Sequence, residues 1–328
     1  MKDVELKMIE RAKELLSSKE VARVIGWKKG EFCYDPTPAS FESVEELDEF
    51  CYNYFCGANL SKYLIEISKK EGKTAVFLKP CDTYSFNQLV KEHRVNREKI
   101  VVIAVECRAK FDVEKIKEKG VSSIVDVAVN GKEVAIKTLY GEEKLYKPEI
   151  LLTKCETCQK THQVKDEEIV LTEVKHPDTD RFFEVNRLES MTEDERFAFW
   201  KSQLSKCIRC NACRNVCPAC SCVKCVFDNN NSSISAKAND SEFEEQLYHI
   251  IRAFHVSGRC TDCGECSRVC PQNIPLHLLN RKFIKDINEI YGPYQAGSDL
   301  ETRPPMLTFK EEDPEATIIS DREEGGNE

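Results

Sequence analysis

The sequence predicts an α/β domain over residues 1–160, followed by a helical, cysteine-rich domain over residues 195–292. Three observations lead there. Strand-sized apolar runs alternate with amphipathic helical runs up to about residue 160, helical periodicity takes over after about 195, and the cysteines crowd into that second stretch. At 328 residues the chain has room for two domains and a sizeable core.

The first segment, MKDVELKMIERAKELLSSKE, is charged and amphipathic. It lacks the apolar stretch and small-residue cleavage site of a secretory signal, so the expected location is the cytoplasm. Next come TAVFLKP with CDTYSFNQLVKEH, then KIVVIAVEC with DVEKIKEKG, each a strand followed by a helix. SSIVDVAV and KEVAIKTLY flank Asn130-Gly131, a dipeptide suited to a tight hairpin because both residues tolerate positive φ. The hairpin is expected to edge the sheet. From Gln159 to Asp194 no period persists, so residues 161–194 read as a surface connector.

Beyond it, Asp228 to Ser233 reads as a loop. Ser241 with Glu244 fits a capping box, ahead of an apolar face of Phe243, Leu247, Ile250, Ile251 and Phe254 that stops at Gly258. Another helix starts at Pro275, carries Leu276, Leu279, Phe283, Ile287 and Ile290, and ends at Gly292. Together these helices are expected to clamp the cysteine loops. Residues 293–328 read as an extended or disordered acidic tail.

Composition narrows the function classes. Hydrophobic residues make up 41% and charged residues 32%, and no apolar run approaches bilayer length, so no membrane span is expected. A net charge of −9 without a basic stripe argues against nucleic acid as a partner. The 18 cysteines point to metal ligation more than to disulfides in a reducing compartment.

Cys207, Cys210, Cys213 and Cys217 precede Pro218, and Cys260, Cys263, Cys266 and Cys270 precede Pro271. Both runs are C-x₂-C-x₂-C-x₃-C-P. In two-cluster ferredoxins the distal cysteine of each run serves the other cluster. The expected sets are therefore Cys207, Cys210, Cys213 and Cys270 on one [4Fe-4S] cluster, with Cys260, Cys263, Cys266 and Cys217 on a second. The second domain thus reads as an α-helical dicluster ferredoxin-like domain. Zinc knuckles and buried thiols are the alternatives, but zinc usually takes two pairs of ligands. Lys206, Arg209, Arg214, Arg259 and Arg268 flank the ligands, either to offset cluster charge or as ordinary surface residues. Cys220, Cys222 and Cys225 either compete for iron or act as small hydrophobes, and Cys33 and Cys51 receive no role. The six histidines, His249 and His255 included, show no ligand spacing and none is nominated.

Four more cysteines follow strand-like runs: Cys81, Cys107, Cys155 and Cys158. Carboxyl ends of strands gather on one edge of an α/β sheet, where the four thiolates can meet. By spacing alone they fit a third cluster, a zinc site, a redox dithiol or nothing.

The order Lys79-Pro80-Cys81-Asp82, Val105-Glu106-Cys107 and Lys154-Cys155-Glu156-Thr157-Cys158 resembles the beta subunit family of deazaflavin-reducing hydrogenases and related formate dehydrogenases. The C-terminal half, through Cys-Pro-Ala-Cys-Ser-Cys at 217–222 and Gly258-Arg259-Cys260, is similar to two-cluster subunits of anaerobic sulfite reductase, of sulfhydrogenase-type enzymes and of heterodisulfide-reductase-associated complexes. The resemblance spans about residues 50–290. It implies a third [4Fe-4S] cluster on Cys81, Cys107, Cys155 and Cys158. Many members of the deazaflavin group also bind a flavin at a glycine-bearing turn, which here corresponds to Cys56, Gly57, Ala58 and Asn59 leading into SKYLIEISKK. Only one glycine remains and no dinucleotide fingerprint appears, so an ordinary helix start is the competing reading.

The expectation is an electron-transfer subunit of a cytoplasmic, anaerobic multi-subunit oxidoreductase. It would pass single electrons between a hydrogenase, formate dehydrogenase or NAD-linked flavin subunit and a heterodisulfide-reductase-like or other acceptor. No acid–base pair or nucleophile constellation marks a catalytic residue. The alternatives are a flavin oxidoreductase subunit that converts hydride to single electrons, and a zinc-stabilised assembly scaffold.

Overall fold

A computed structural model describes residues 1–158, 165–169, 179–228 and 242–308. Helix α1 (Lys2–Ser17) leads into strands β1 (Arg23–Lys28) and β2 (Thr37–Phe41), the short helix α2 (Leu64–Ile67), β3 (Thr74–Leu78), α3 (Pro80–Lys91), β4 (Ile100–Val105) and α4 (Val113–Glu118). A meander follows: β5 (Ile124–Asn130), β6 (Glu133–Thr138) and β7 (Gly141–Tyr146), then α5 (Thr153–Glu156) and β8 (Glu167–Ile169). The remaining described elements are helical: α6 (Phe183–Glu189), α7 (Glu193–Leu204), α8 (Ala212–Val216), α9 (Glu242–His255), α10 (Glu265–Arg268) and α11 (Leu276–Tyr291), with one 3₁₀ turn at each of Val226–Asp228 and Pro305–Leu307.

The main sheet runs β2-β1-β3-β4-β8, parallel except for the β1/β2 pair. β3 and β4 are near-continuous apolar runs because both faces of a parallel sheet are covered. Val4, Met8, Ala12 and Leu15, three or four residues apart, lay one face of α1 into the same core. Pro80 opens α3, where its missing N–H costs no hydrogen bond.

The Asn130-Gly131 hairpin forms, with Gly131 at φ +60°. It does not edge the main sheet, however. β5, β6 and β7 make a separate antiparallel sheet over a second core of Phe111, Ile116, Val134, Ile136 and Ile150. Stretch 161–194 is more than a connector: β8 completes the main sheet beside β4, and α6 packs Val185 and Leu188 against Leu278 of α11.

The helical half departs from expectation on α9. Phe243 is 70% exposed and Phe254 59%, whereas Glu245, Tyr248, His249 and Arg252 are buried. Its polar side faces inward. Ser241 of the expected capping box and the loop residues 229–233 lie outside the described residues, as does 309–328 of the tail. Residues 293–308 are a packed strap: Asn87 donates to the Gly297 carbonyl (2.9 Å) and the Tyr294 hydroxyl to the Gly258 carbonyl (2.9 Å). Among the described residues no helix is long and apolar enough to cross a membrane.

Candidate metal centres

The two C-x₂-C-x₂-C runs repeat a backbone conformation as well as a spacing. Arg209 and Asn211, two and four residues after Cys207, have φ of +52° and +61°; Asp262 and Gly264, at the same offsets from Cys260, have +55° and +66°. Each loop then enters a short helix, α8 or α10. Alternation of right- and left-handed residues curls a chain around an anion, the shape a thiolate-rich centre needs. Asparagine tolerates the left-handed region in the first loop. The second requires glycine, because a Cβ at Gly264 would lie 2.5 Å from Cβ of Lys154.

Cys207, Cys210, Cys213 and Cys270 line one cavity, closed by Tyr248, His249, Ile274 and Leu276. The distal cysteine of the second run thus joins the first three of the other. Burial, opposed by Arg252, pushes the Cys213 thiol up, and Cys270 and Cys210 add to the rise. On the other side burial raises Cys260 to about 12, helped by Asp262 and Cys217. Cys263 is raised by burial, Glu265 and Cys217, and Cys266 by burial and Cys217 to about 12 against the pull of Arg252. Cys217 therefore acts on all three thiols of the second run.

The extra thiols separate. Cys220 hydrogen-bonds to Cys217 and brings its pKa down to about 6, so it sits beside that ligand candidate. Cys225 bonds with Arg214, and Cys222 is exposed. Cys51 and Cys56 pair with each other, and Cys33 points its thiol at the Ile124 carbonyl (3.9 Å).

In the N-terminal half Cys81 lies in the first turn of α3, Cys107 two residues past β4, Cys155 in α5 and Cys158 just beyond it. Only Cys81 and Cys107 follow strands of the main sheet; Cys155 and Cys158 follow a 3₁₀ turn at Lys147–Ile150. The four still converge. Burial lifts Cys155 to about 12, with Cys107 and then Cys158 adding repulsion, and Cys158 acts likewise on Cys81.

Three buried lysines surround this group, each anchored to one loop. Lys110 Nζ donates to the Asn53 carbonyl (2.7 Å), Lys154 Nζ to that of Gly57 (2.7 Å) and Lys79 Nζ to that of Ala58 (2.8 Å). That loop contains the flavin candidates Cys56, Gly57, Ala58 and Asn59, and its polar groups are consumed internally. The Asn59 N–H donates to the Glu265 carboxylate (3.1 Å) and its amide to Ser85 (3.0 Å), while a Cβ on Gly57 would meet Leu152 at 2.9 Å. A carboxylate occupies the position a phosphate would need, and SKYLIEISKK yields only a 3₁₀ turn and the four-residue α2. These residues do not fit a flavin.

The flanking cations are also spoken for. Arg209 pairs with Glu245, Arg214 with Asp228, Arg259 with Glu92, and Arg268 with Glu265. The residues missed by sequence reasoning lie on α9. The Cys207 sulfur, a Glu245 oxygen and a His249 nitrogen lie within 4.8 Å of one another. The overlooked signal was Glu245, His249 and Arg252 at i, i+4 and i+7, a polar stripe that the apolar positions concealed. A cleft of about 640 Å³ between the halves reaches Cys270 and is walled by Tyr34, Phe55, Phe111, Lys115, Lys154 and Arg268.

Residues 203–274 match the 4Fe-4S dicluster domain family, which makes this an iron–sulfur protein. The chain as a whole is similar to the beta subunits of F420-dependent formate dehydrogenases, the family that its cysteine order resembles. It is 24% identical to the F420-dependent formate dehydrogenase subunit beta of Methanocaldococcus jannaschii over 356 aligned positions, covering 91% of this chain and 93% of that one. With the F420-dependent formate dehydrogenase 1 subunit beta of Methanococcus maripaludis it shares 27%, covering 90% and 91%. A chain of the F420-reducing [NiFe] hydrogenase complex from Methanosarcina barkeri is a looser match, with 12% identity and a TM-score of 0.36 over 47% of this chain and 62% of that one.

Proposed function

We propose that this chain is the iron–sulfur electron-transfer subunit of a multi-subunit complex of the F420-dependent formate dehydrogenase type. The observation that carries the reading is the crossover: Cys270 shares a cavity with Cys207, Cys210 and Cys213, while Cys217 faces Cys260, Cys263 and Cys266. These are the two C-terminal [4Fe-4S] ligand sets. Cys81, Cys107, Cys155 and Cys158 form a third, and Lys79, Lys110 and Lys154 supply buried positive charge beside it. Bound clusters would supply one-electron transfer, with potentials set by burial, hydrogen bonds and charge. The chain's own residues fix the sulfurs in place and keep them largely from water. Partners are other redox subunits: a formate- or hydride-handling subunit on one side and an electron acceptor on the other.

A second reading, a flavin-bearing subunit, draws support from the cleft at Cys270. Its volume of about 640 Å³ suits a cofactor, and aromatic and cationic side chains line it. Anaerobic purification with iron, sulfide, zinc and flavin measured on one sample tests both. About twelve irons with matching sulfide supports three clusters, and about eight removes the third. Stoichiometric flavin favours the second reading; zinc without sulfide sinks both. Subunits that copurify identify the donor and acceptor.

A further inference from the structure

Arg252 is a buried charge with no carboxylate partner among the described residues. It is 2% exposed, and Nε, Nη1 and Nη2 all lack a hydrogen-bond partner among the described residues. An unpaired guanidinium in an apolar interior costs several kcal/mol, so a fold keeps one only where something compensates it. The four arginines flanking the cysteine runs already have carboxylates. What faces Arg252 is sulfur: Cys266 and Cys217 from one ligand set, Cys213 from the other, and Cys220. One turn earlier on α9, His249 is 1% exposed, has neither ring nitrogen bonded among the described residues, and lines the cavity of Cys207, Cys210, Cys213 and Cys270. His249 and Arg252 thus turn two unused donors of α9 toward the cysteine groups.

We propose that Arg252 lies between the two C-terminal clusters and donates N–H···S hydrogen bonds to the sulfurs of both, raising their reduction potentials together. This rests on the two-cluster reading. A guanidinium carries five N–H donors in a rigid fork, so it can serve two acceptors on different sides, which a lysine ammonium on a flexible stem does less well. Positive charge and donors near sulfur favour the more negative, reduced state of a cluster. Because one side chain serves both, the two potentials move in step. Arg252 acts as a tuning residue and takes no electron itself.

The test uses the full-length protein, loaded with clusters and kept anaerobic. Arginine is labelled with ¹⁵N in the guanidinium, and hyperfine coupling is read by pulsed EPR on the reduced wild type and on Arg252→Lys. Midpoint potentials are titrated for wild type, Arg252→Lys and Arg252→Gln. The expected result is a ¹⁵N coupling on the C-terminal clusters that disappears in Arg252→Lys. In Arg252→Gln both C-terminal midpoints should fall by on the order of tenfold in the one-electron equilibrium, about 59 mV, with the N-terminal signal unmoved. A labelled wild type without guanidinium coupling overturns the proposal, even if the variants fail to load. So does a variant with full iron and sulfide whose midpoints or coupling match wild type. Absence of acid-labile sulfide in wild type is a separate result that removes the two-cluster reading, and this inference with it.

Discussion

Replacing Glu265 by glutamine should loosen the seam between the two halves. Its carboxylate is fully buried and collects four donors: the Asn59 N–H at 3.1 Å, Nε and Nη2 of Arg268 at 2.8 Å each, and the Lys154 ammonium. Asn59 and Lys154 belong to the N-terminal half and Arg268 to the C-terminal half, so one side chain ties them together. Burial works against ionising Glu265, yet Lys154 and then Arg268 hold its pKa well below the usual carboxylate range. Lys154 is likewise opposed by burial but held above its usual value by Glu265. Breaking a buried pair from one side costs about 3–5 kcal/mol, because the partner's charge stays behind without its counterion. Glutamine keeps the shape and one acceptor, which places Glu265→Gln near the lower end. With a urea dependence of about 1–3 kcal/mol per molar, the unfolding midpoint should drop by about 1 M or more. The assay is anaerobic urea unfolding of the loaded protein, followed by far-UV circular dichroism and visible absorbance. Adding Lys154→Met should recover part of the loss, while Glu66→Gln, which breaks an exposed pair with Lys69, should leave the midpoint in place. A Glu265→Gln midpoint within a few tenths of a molar of wild type would refute the reasoning.

Three other outcomes are expected. Gly264→Ala places a Cβ 2.5 Å from Lys154 Cβ at a positive φ, and a thermal melt should register a loss of about 1–3 kcal/mol, whereas Asn211→Gly at the matching position of the first loop should cost little. Burial, and then Arg281, pushes His277 down to about 4 from its ordinary 6.5, so the unfolded chain binds a proton that the native state refuses; stability should fall as pH drops from about 6.5 to 4, by up to about 3 kcal/mol, and His277→Gln should flatten that slope in urea titrations run at stepped pH. Cys81→Ser should lower iron by about four per chain while the EPR signals of the C-terminal pair persist, and loss of those signals instead would argue against a separate N-terminal centre.

What could be read from the sequence was set by local rules, and what could not depended on packing. The spacing of Cys207 to Cys217 and of Cys260 to Cys270 is itself the chemistry, so those groups were legible before any fold was known. Gly131 signalled its hairpin because a positive φ is a local demand, but nothing local says that β5 and β6 will pair with β7 and not with the main sheet. The three residues of β8 were too few to show a period; their place is fixed by the open edge of β4. On α9 the hydrophobic stripe misled, because the helix turns Glu245, Tyr248, His249 and Arg252 inward toward the cysteine loops and leaves Phe243 and Phe254 outside. The loop from Cys56 to Asn59 resembled a phosphate site until Glu265, distant in sequence, was found occupying it.

The margins of the main sheet are guarded. On one side β2 carries Pro38, which offers no N–H to an incoming chain. On the other, β8 spans three of the described residues, and Glu167 is gripped by Nε and Nη2 of Arg11 from α1 at 2.7 and 2.6 Å. A short, charged flank and a proline flank are poor templates for strand addition. The described margins of this sheet therefore give little tendency to polymerise through it, and a companion protein would have to recognise the chain by side-chain surface and not by lengthening its β-structure.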